Sequence, residues 1–362
     1  MILIGTDEGI YRWSEGSGWP AFHSLQDRAV VGLECPSPGV LIALDRAGDL
    51  LESTDHGMTW RAVPLPESSG RPSALAIAGS PPEVLVAVKP LGLYRRLLGK
   101  PLPREALPRG SGLVPDLVER ARSLAGSATA LLSPPKPKTT TLEADAQLRG
   151  WEPLTAPAPP QTTVPPVVRV VAATSSGWFA AVSAAGLWRS TDLGRSWSQC
   201  PGLPAEVYAL RTVPGRPGQL WAATGDGCRL SSDGGVTWED RSAGLENTRQ
   251  VRAVEIKPDA PDTLLAGAAP ASSTPAAPRQ GLEFALFESN DSGKSWTKVV
   301  KRNFPESLEY DTIVDIRFDP AATENILVAL GTGELWVTRN GGAYWGPLAR
   351  QIRAARVLCA VK

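Results

Sequence analysis

Short apolar runs alternate with polar breaks rich in Gly, Pro, Asp and Ser along most of the chain, at spacings too short for amphipathic helices. Residues 206–245 show the recurring unit as EVYALRTVPGRPG, QLWAATGD, GCRLSSDGG and VTWEDRSAGL. An apolar run ends in a Pro/Gly/Asp turn and a short second run follows. A third run leads into a polar turn, and a fourth opens on tryptophan. The same order recurs over 29–65, 167–203, 250–300 and 312–348. Runs of this length between turn signals predict strands, and four per unit predict small antiparallel sheets repeated around an axis.

The polar turn is itself a repeat. It reads STDHGMTW at 53–60, STDLGRSW at 190–197, SSDGGVTW at 231–238, SNDSGKSW at 289–296 and TRNGGAYW at 338–345. Each copy fits S/T-x-D/N-x-G-x-x-W and predicts a hairpin. Its Asp or Asn (Asp55, Asp192, Asp233, Asp291, Asn340) accepts hydrogen bonds from turn amides. The Gly takes a backbone conformation that other residues adopt poorly. The tryptophan (Trp60, Trp197, Trp238, Trp296, Trp345) opens the next strand and packs between sheets. Of 23 aromatic residues 12 are tryptophan, and the box accounts for that skew.

Two stretches are irregular. Residues 72–98 supply three strands without a box, and 150–156 (GWEPLTA) offer a fourth after an insertion of roughly 50 residues. Residues 1–25 also supply three strands, and ARVLCAV at 355–361 provides the missing innermost one. A blade shared by both termini closes the ring and covers two sheet edges. The expectation is an all-β, seven-bladed propeller spanning 1–362 as one domain, with a helical insertion at 101–148 in blade three; six blades is the alternative. Within the insertion, LVPDLVERARSLAG places Leu117, Val118 and Leu124 at helical spacing, which predicts a short amphipathic helix. It packs on its own propeller or docks a partner. Residues 270–280 read as a disordered loop.

Composition narrows the chemistry. Lysine plus arginine and aspartate plus glutamate both total 37, so nothing points to nucleic acid. Four widely spaced cysteines and two histidines argue against a disulfide framework, a zinc site or triad catalysis. The turns carry too few carboxylates for a calcium shell. No metal and no cofactor is expected. The N-terminal MILIGTDEGIYRW reads as a strand and not as a signal peptide, and no apolar run is long enough to span a bilayer. The expectation is a cytoplasmic protein without direct membrane insertion.

The five boxes resemble those of the BNR or Asp-box family, which includes sialidases, sortilin-type receptors, certain endoglucanases and Ycf48-type photosystem II assembly factors. The resemblance covers nearly the whole chain outside 101–148 and implies a propeller with its boxes at the blade periphery. The box residues are accordingly structural.

Ligands of propellers commonly bind at one mouth of the central channel. Aligning the first strands by apolar alternation (VVGL, PSAL, VRVV, VYAL, VRAV, VDIR, ARVL) gives a second column of Val31, Ser73, Arg169, Tyr208, Arg252, Asp315 and Arg356. On a ring of blades these face one space. Arginines there suit an anion or acidic peptide, or else line a wet channel as ion pairs.

Three arginines with a tyrosine also resemble a sialidase site, where such a triad holds a carboxylate and the tyrosine is nucleophile. The Arg-x-Pro signature of sialidases has no match in the N-terminal blade, and no column supplies paired carboxylates for an endoglucanase. The reading is therefore a non-enzymatic scaffold or assembly factor for a protein partner, using the channel mouth, the insertion or both. A sialidase-like glycan hydrolase and a purely architectural subunit are the alternatives.

Overall fold

A computed structural model describes residues 1–14, 16, 18–66, 70–78, 82–98, 150–159, 165–245, 249–269, 283–300, 303–305, 308–309, 312–349, 352 and 355–361. Leu117, Val118 and Leu124 of the expected helix, and the loop at 270–280, lie outside the described residues. Every regular element among the described residues is a β-strand, and the strands form seven antiparallel sheets. The molecule is a seven-bladed β-propeller.

Six blades are continuous in sequence around their first strands, which are Val30–Ser37, Pro72–Ala78, Val168–Thr174, Val207–Thr212, Gln250–Ile256 and Ile313–Asp319. Blade one is built from both ends of the chain. Its innermost strand Val357–Ala360 pairs antiparallel with Ile2–Thr6, and Gly9–Trp13 and Ala21–Ser24 follow outward. In blade three Glu152–Leu154 pairs with Gly92–Leu97, so GWEPLTA does complete the sheet across the insertion. Blade six carries one strand that the pattern did not announce. Leu308–Glu309 pairs with Glu283–Ser289 beside the outermost Thr297–Lys298.

The core consists of seven hydrophobic clusters, one at each junction between adjacent blades. Second strands such as Leu220–Thr224 and Leu264–Ala269 are buried at every position. A sheet between two others hides both faces, which is why these strands read as continuous apolar runs and not as alternation.

The box geometry recurs with little variation. In blade five the Ser231 hydroxyl donates to Asp233 Oδ1 at 2.8 Å, and the Gly235 amide donates to Ser231 Oγ at 2.7 Å. Asp233 accepts the Thr237 amide at 2.9 Å and the Thr237 hydroxyl at 2.6 Å. Four such aspartates (Asp55, Asp192, Asp233, Asp291) are pulled down to about 2, chiefly by the hydroxyl of the residue four places on. The residue before each box glycine is also left-handed, including His56 at φ 61 and Leu193 at φ 59.

Three of the five box tryptophans pin blades together. The indole N–H of Trp60 donates to Ser24 Oγ of blade one at 3.1 Å, that of Trp197 to the Thr155 carbonyl of blade three at 2.7 Å, and that of Trp296 to the Arg241 carbonyl of blade five at 2.7 Å. Trp151 does the same without a box, reaching the Pro64 carbonyl of blade two at 2.9 Å. Blade three has lost its turn signature but kept its pin.

Candidate functional site

The first strand of each continuous blade carries a β-bulge near its start. The register slips at Val31, Ser73, Arg169, Tyr208, Arg252 and Val314, each an extra residue left out of the ladder. A bulge bends its strand and re-aims the unpaired side chain. Five of the six are the column expected from the sequence. The sixth is a correction. Ile313 pairs with Leu330 and Asp315 with Ala329, so Val314 occupies the column and Asp315 lies one step deeper. Apolar alternation cannot reveal an inserted residue, and the blade-seven strand was aligned one place late.

The bulged residues line a central cavity of about 500 Å³, open to solvent. Arg169, Tyr208 and Arg252, from blades four to six, form its polar arc. Val31, Ser73, Leu75, Val314 and Val357, from blades seven to three, stand opposite, and Glu34, Arg211, Asp315 and Arg317 line the same cavity. The Arg252 guanidinium lies over the Tyr208 ring at 4.1 Å from its centre, a cation–π stack that orients it. Gln250 Nε2 donates to the Tyr208 hydroxyl at 3.5 Å.

Arg252 has no carboxylate partner among the described residues, and its Nε is buried without a hydrogen bond. Arg169 is half exposed, with its nearest carboxylate, Glu206, at 3.8 Å. Arg356 holds the equivalent position in blade one but is not brought into this arc. It turns to Asp7, donating from Nη2 at 3.0 Å, and Asp7 also accepts Arg46 at 2.7 Å. The Asp7 carboxyl is held below its ordinary value, first by the Arg356 hydrogen bond.

Three residues beyond the bulge runs a second charged layer. Glu34, Arg211, Glu255 and Arg317 all stand at that offset, in strands whose other members at the same position are Ala76, Ala172 and Cys359. Charged residues at a constant offset within apolar strands were the signal. Arg211 donates to Glu255 at 2.8 Å and reaches Asp315 at 3.4 Å, while Arg317 donates to Glu255 at 2.8 Å and to Asp315 at 2.7 Å.

Burial works against the Arg317 charge, but Asp315, Glu255 and Glu34 outweigh it and raise its pKa. Glu34 accepts no hydrogen bond from either guanidinium. Desolvation pushes its carboxyl up to about 6 against the attraction of Arg317 and Arg211. Asp315, expected as a ligand-facing group, lines the same cavity and is at the same time buried and joined into this network.

The two histidines stay at the periphery. His56 sits in the blade-two box turn, and its carbonyl is 2.7 Å from Nε2 of His23 on an outermost strand. Among the described residues no group of three or more His, Cys, Asp or Glu side chains is placed to hold a metal ion. No helix among them is long and apolar enough to cross a membrane.

No protein-family model matches the sequence, and no curated protein matches it. Solved structures do match in fold. A structure of Ycf48 bound to a D1 peptide is 13% identical, with a TM-score of 0.54 over 95% of this chain and 86% of that one. Ycf48 from Cyanidioschyzon merolae is also 13% identical, with a TM-score of 0.54 over 91% and 88% of the two chains. The GH74 xyloglucanase from Xanthomonas campestris is 14% identical, with a TM-score of 0.58 over 94% of this chain and 47% of its own. This chain thus spans about half of that enzyme. At such identities the likeness establishes the seven-bladed propeller and nothing about ligands.

Proposed function

We propose that this protein is a non-enzymatic scaffold that binds a protein partner at the mouth of its central channel. The observation that carries the reading is Arg252, stacked on Tyr208, facing a solvent-open cavity, with a buried Nε that bonds to nothing among the described residues. An oriented guanidinium without a carboxylate of its own is equipped to receive one from a ligand. The neighbouring Arg169 adds positive potential at the same mouth. A propeller of similar fold, Ycf48, has been solved with a peptide bound, which is consistent with this use of the architecture. The Asp-box residues have a structural role, since their carboxylates are consumed within their own turns.

Selection from a random peptide library, read by fluorescence polarisation, tests the proposal. Acidic peptides should be enriched, and Arg252→Ala and Arg169→Ala should each weaken them by about tenfold or more, a loss of about 1.4 kcal/mol. Enriched peptides that bind both variants as tightly as the parent overturn it in favour of an architectural role. Turnover of a fluorogenic sialoside, abolished by Tyr208→Phe, would replace it with the hydrolase reading.

A further inference from the structure

We infer that two copies of this chain pair edge to edge through the outermost strand of blade one, Ala21–Ser24, in a two-fold dimer. This surface lies on the rim of the ring, away from the channel mouth, and is independent of the scaffold reading above.

The outermost strand of a blade is an unpaired edge, and proteins keep such edges apart with charge, proline or shortness. Blades two to seven do so. Arg61, Glu152, Lys298 and the pair Glu239 and Asp240 charge four of these edges. Ser198–Gln199 is short and polar, and Gly346–Ala349 carries Pro347. Ala21–Ser24 has neither a charged residue nor a proline within it, and no strand lies beyond it among the described residues.

This edge also presents aromatic surface. Phe22 is 48% exposed, and Trp19, just before the strand, is 67% exposed. The Phe22 ring meets that of Tyr11 edge-on at 5.6 Å, which holds it in place at the surface. The blade-two box reaches the same strand at His23 and Ser24 and carries the exposed Met58. Apolar groups gathered at one edge mark an interaction surface.

Charge selects the occupant. Arg12 is exposed and stands in register with Ala21, at the start of the strand. Asp27 is exposed and lies just past its end, its amide donating to the Glu8 carbonyl. Neither has an ion-pair partner among the described residues. The edge thus runs from an unpaired cation to an unpaired carboxylate. Identical edges related by a two-fold axis run antiparallel. That arrangement brings Arg12 of each copy toward Asp27 of the other, with the aromatic surface between. A strand from a different protein would need the same two charges in reverse order, and a second copy supplies them by symmetry.

Sedimentation velocity on the full chain tests this, with melting curves to show that each variant is folded. The parent should pass from one chain to two as its concentration rises. Phe22→Lys should raise the dissociation constant at least tenfold, and so should Arg12→Asp and Asp27→Arg taken singly. Mixing the two charge variants in equal amounts should restore pairing, because one edge then carries two carboxylates and the other two guanidiniums. A parent that stays a single chain at every concentration would overturn the inference. So would a dimer indifferent to Phe22→Lys, or charge variants that remain apart when mixed. Phe22→Lys leaves the channel mouth untouched, so peptide binding there tests the scaffold reading separately.

Discussion

Asp315 Oδ2 accepts the backbone N–H of Leu358 at 3.0 Å, joining the inner strand of blade seven to the C-terminal strand that closes blade one. The same carboxylate receives Arg317 at 2.7 Å through Oδ1. One buried side chain thus ties the ring at its only non-sequential blade and anchors the charged layer beneath the mouth. Asp315→Ala removes an acceptor from a buried amide and leaves two guanidiniums under-compensated. It should cost about 3–5 kcal/mol in urea unfolding, the range for breaking a buried ion pair. Asp315→Asn keeps an amide acceptor and should cost less. Equal losses for the two would mean that charge, and not the seam hydrogen bond, decides stability there.

The tryptophan pins give an internal comparison. Trp151 donates to the Pro64 carbonyl at 2.9 Å, whereas Trp345 Nε1 is buried with no partner among the described residues. Replacement by Phe removes a satisfied donor in one case and an orphaned one in the other. Trp151→Phe should therefore be more destabilising than Trp345→Phe by about 1 kcal/mol, read from chemical denaturation of the two variants side by side.

Glu34 makes the channel sensitive to mild acid. Its carboxyl titrates at about 6 in the folded protein against an ordinary 4.5. The folded state therefore holds the proton more tightly, and stability falls as pH rises from below 4.5 through 6. Glu34→Gln should raise the melting temperature at pH 7 and remove that decline, a gain on the order of 1 kcal/mol. A variant that tracks the parent from pH 4.5 to 7 would show that water in the channel already solvates the charge.

The box aspartates act in the opposite direction at lower pH. Asp55, Asp192, Asp233 and Asp291 titrate at about 2 when folded, below their ordinary 3.8. Their contribution is complete above about 4 and is lost as pH falls through 2. The melting temperature should drop across that window, and Asp→Asn at all four boxes should flatten the drop. The blade-seven box is built that way already, since Asn340 Oδ1 accepts the Thr338 hydroxyl at 2.8 Å and the Tyr344 amide at 3.0 Å.

Sequence alone pointed to seven blades, with six as the alternative, to the closure by both termini and to the box hairpins, because each rests on local physics that repeats. A Ser-x-Asp-x-Gly turn folds through contacts within eight residues, as 231–238 do, and a tryptophan after it marks a strand wherever it occurs. Even the irregular blade three was legible from 72–98 and 150–156. The bulges were not legible, because an unpaired residue is defined by its partner strand; hence Val314 and not Asp315 is the bulged residue of blade seven.

Tertiary structure also decided which arginines share the site. Arg356 and Arg252 occupy equivalent positions, but the turn after Ile2–Thr6 supplies Asp7 to one, and no described residue supplies a carboxylate to the other. The Glu34, Arg211, Glu255 and Arg317 layer likewise takes its meaning from geometry. Its members are scattered from position 34 to 317 in sequence, and only the closing of the ring sets their charges within reach of one another.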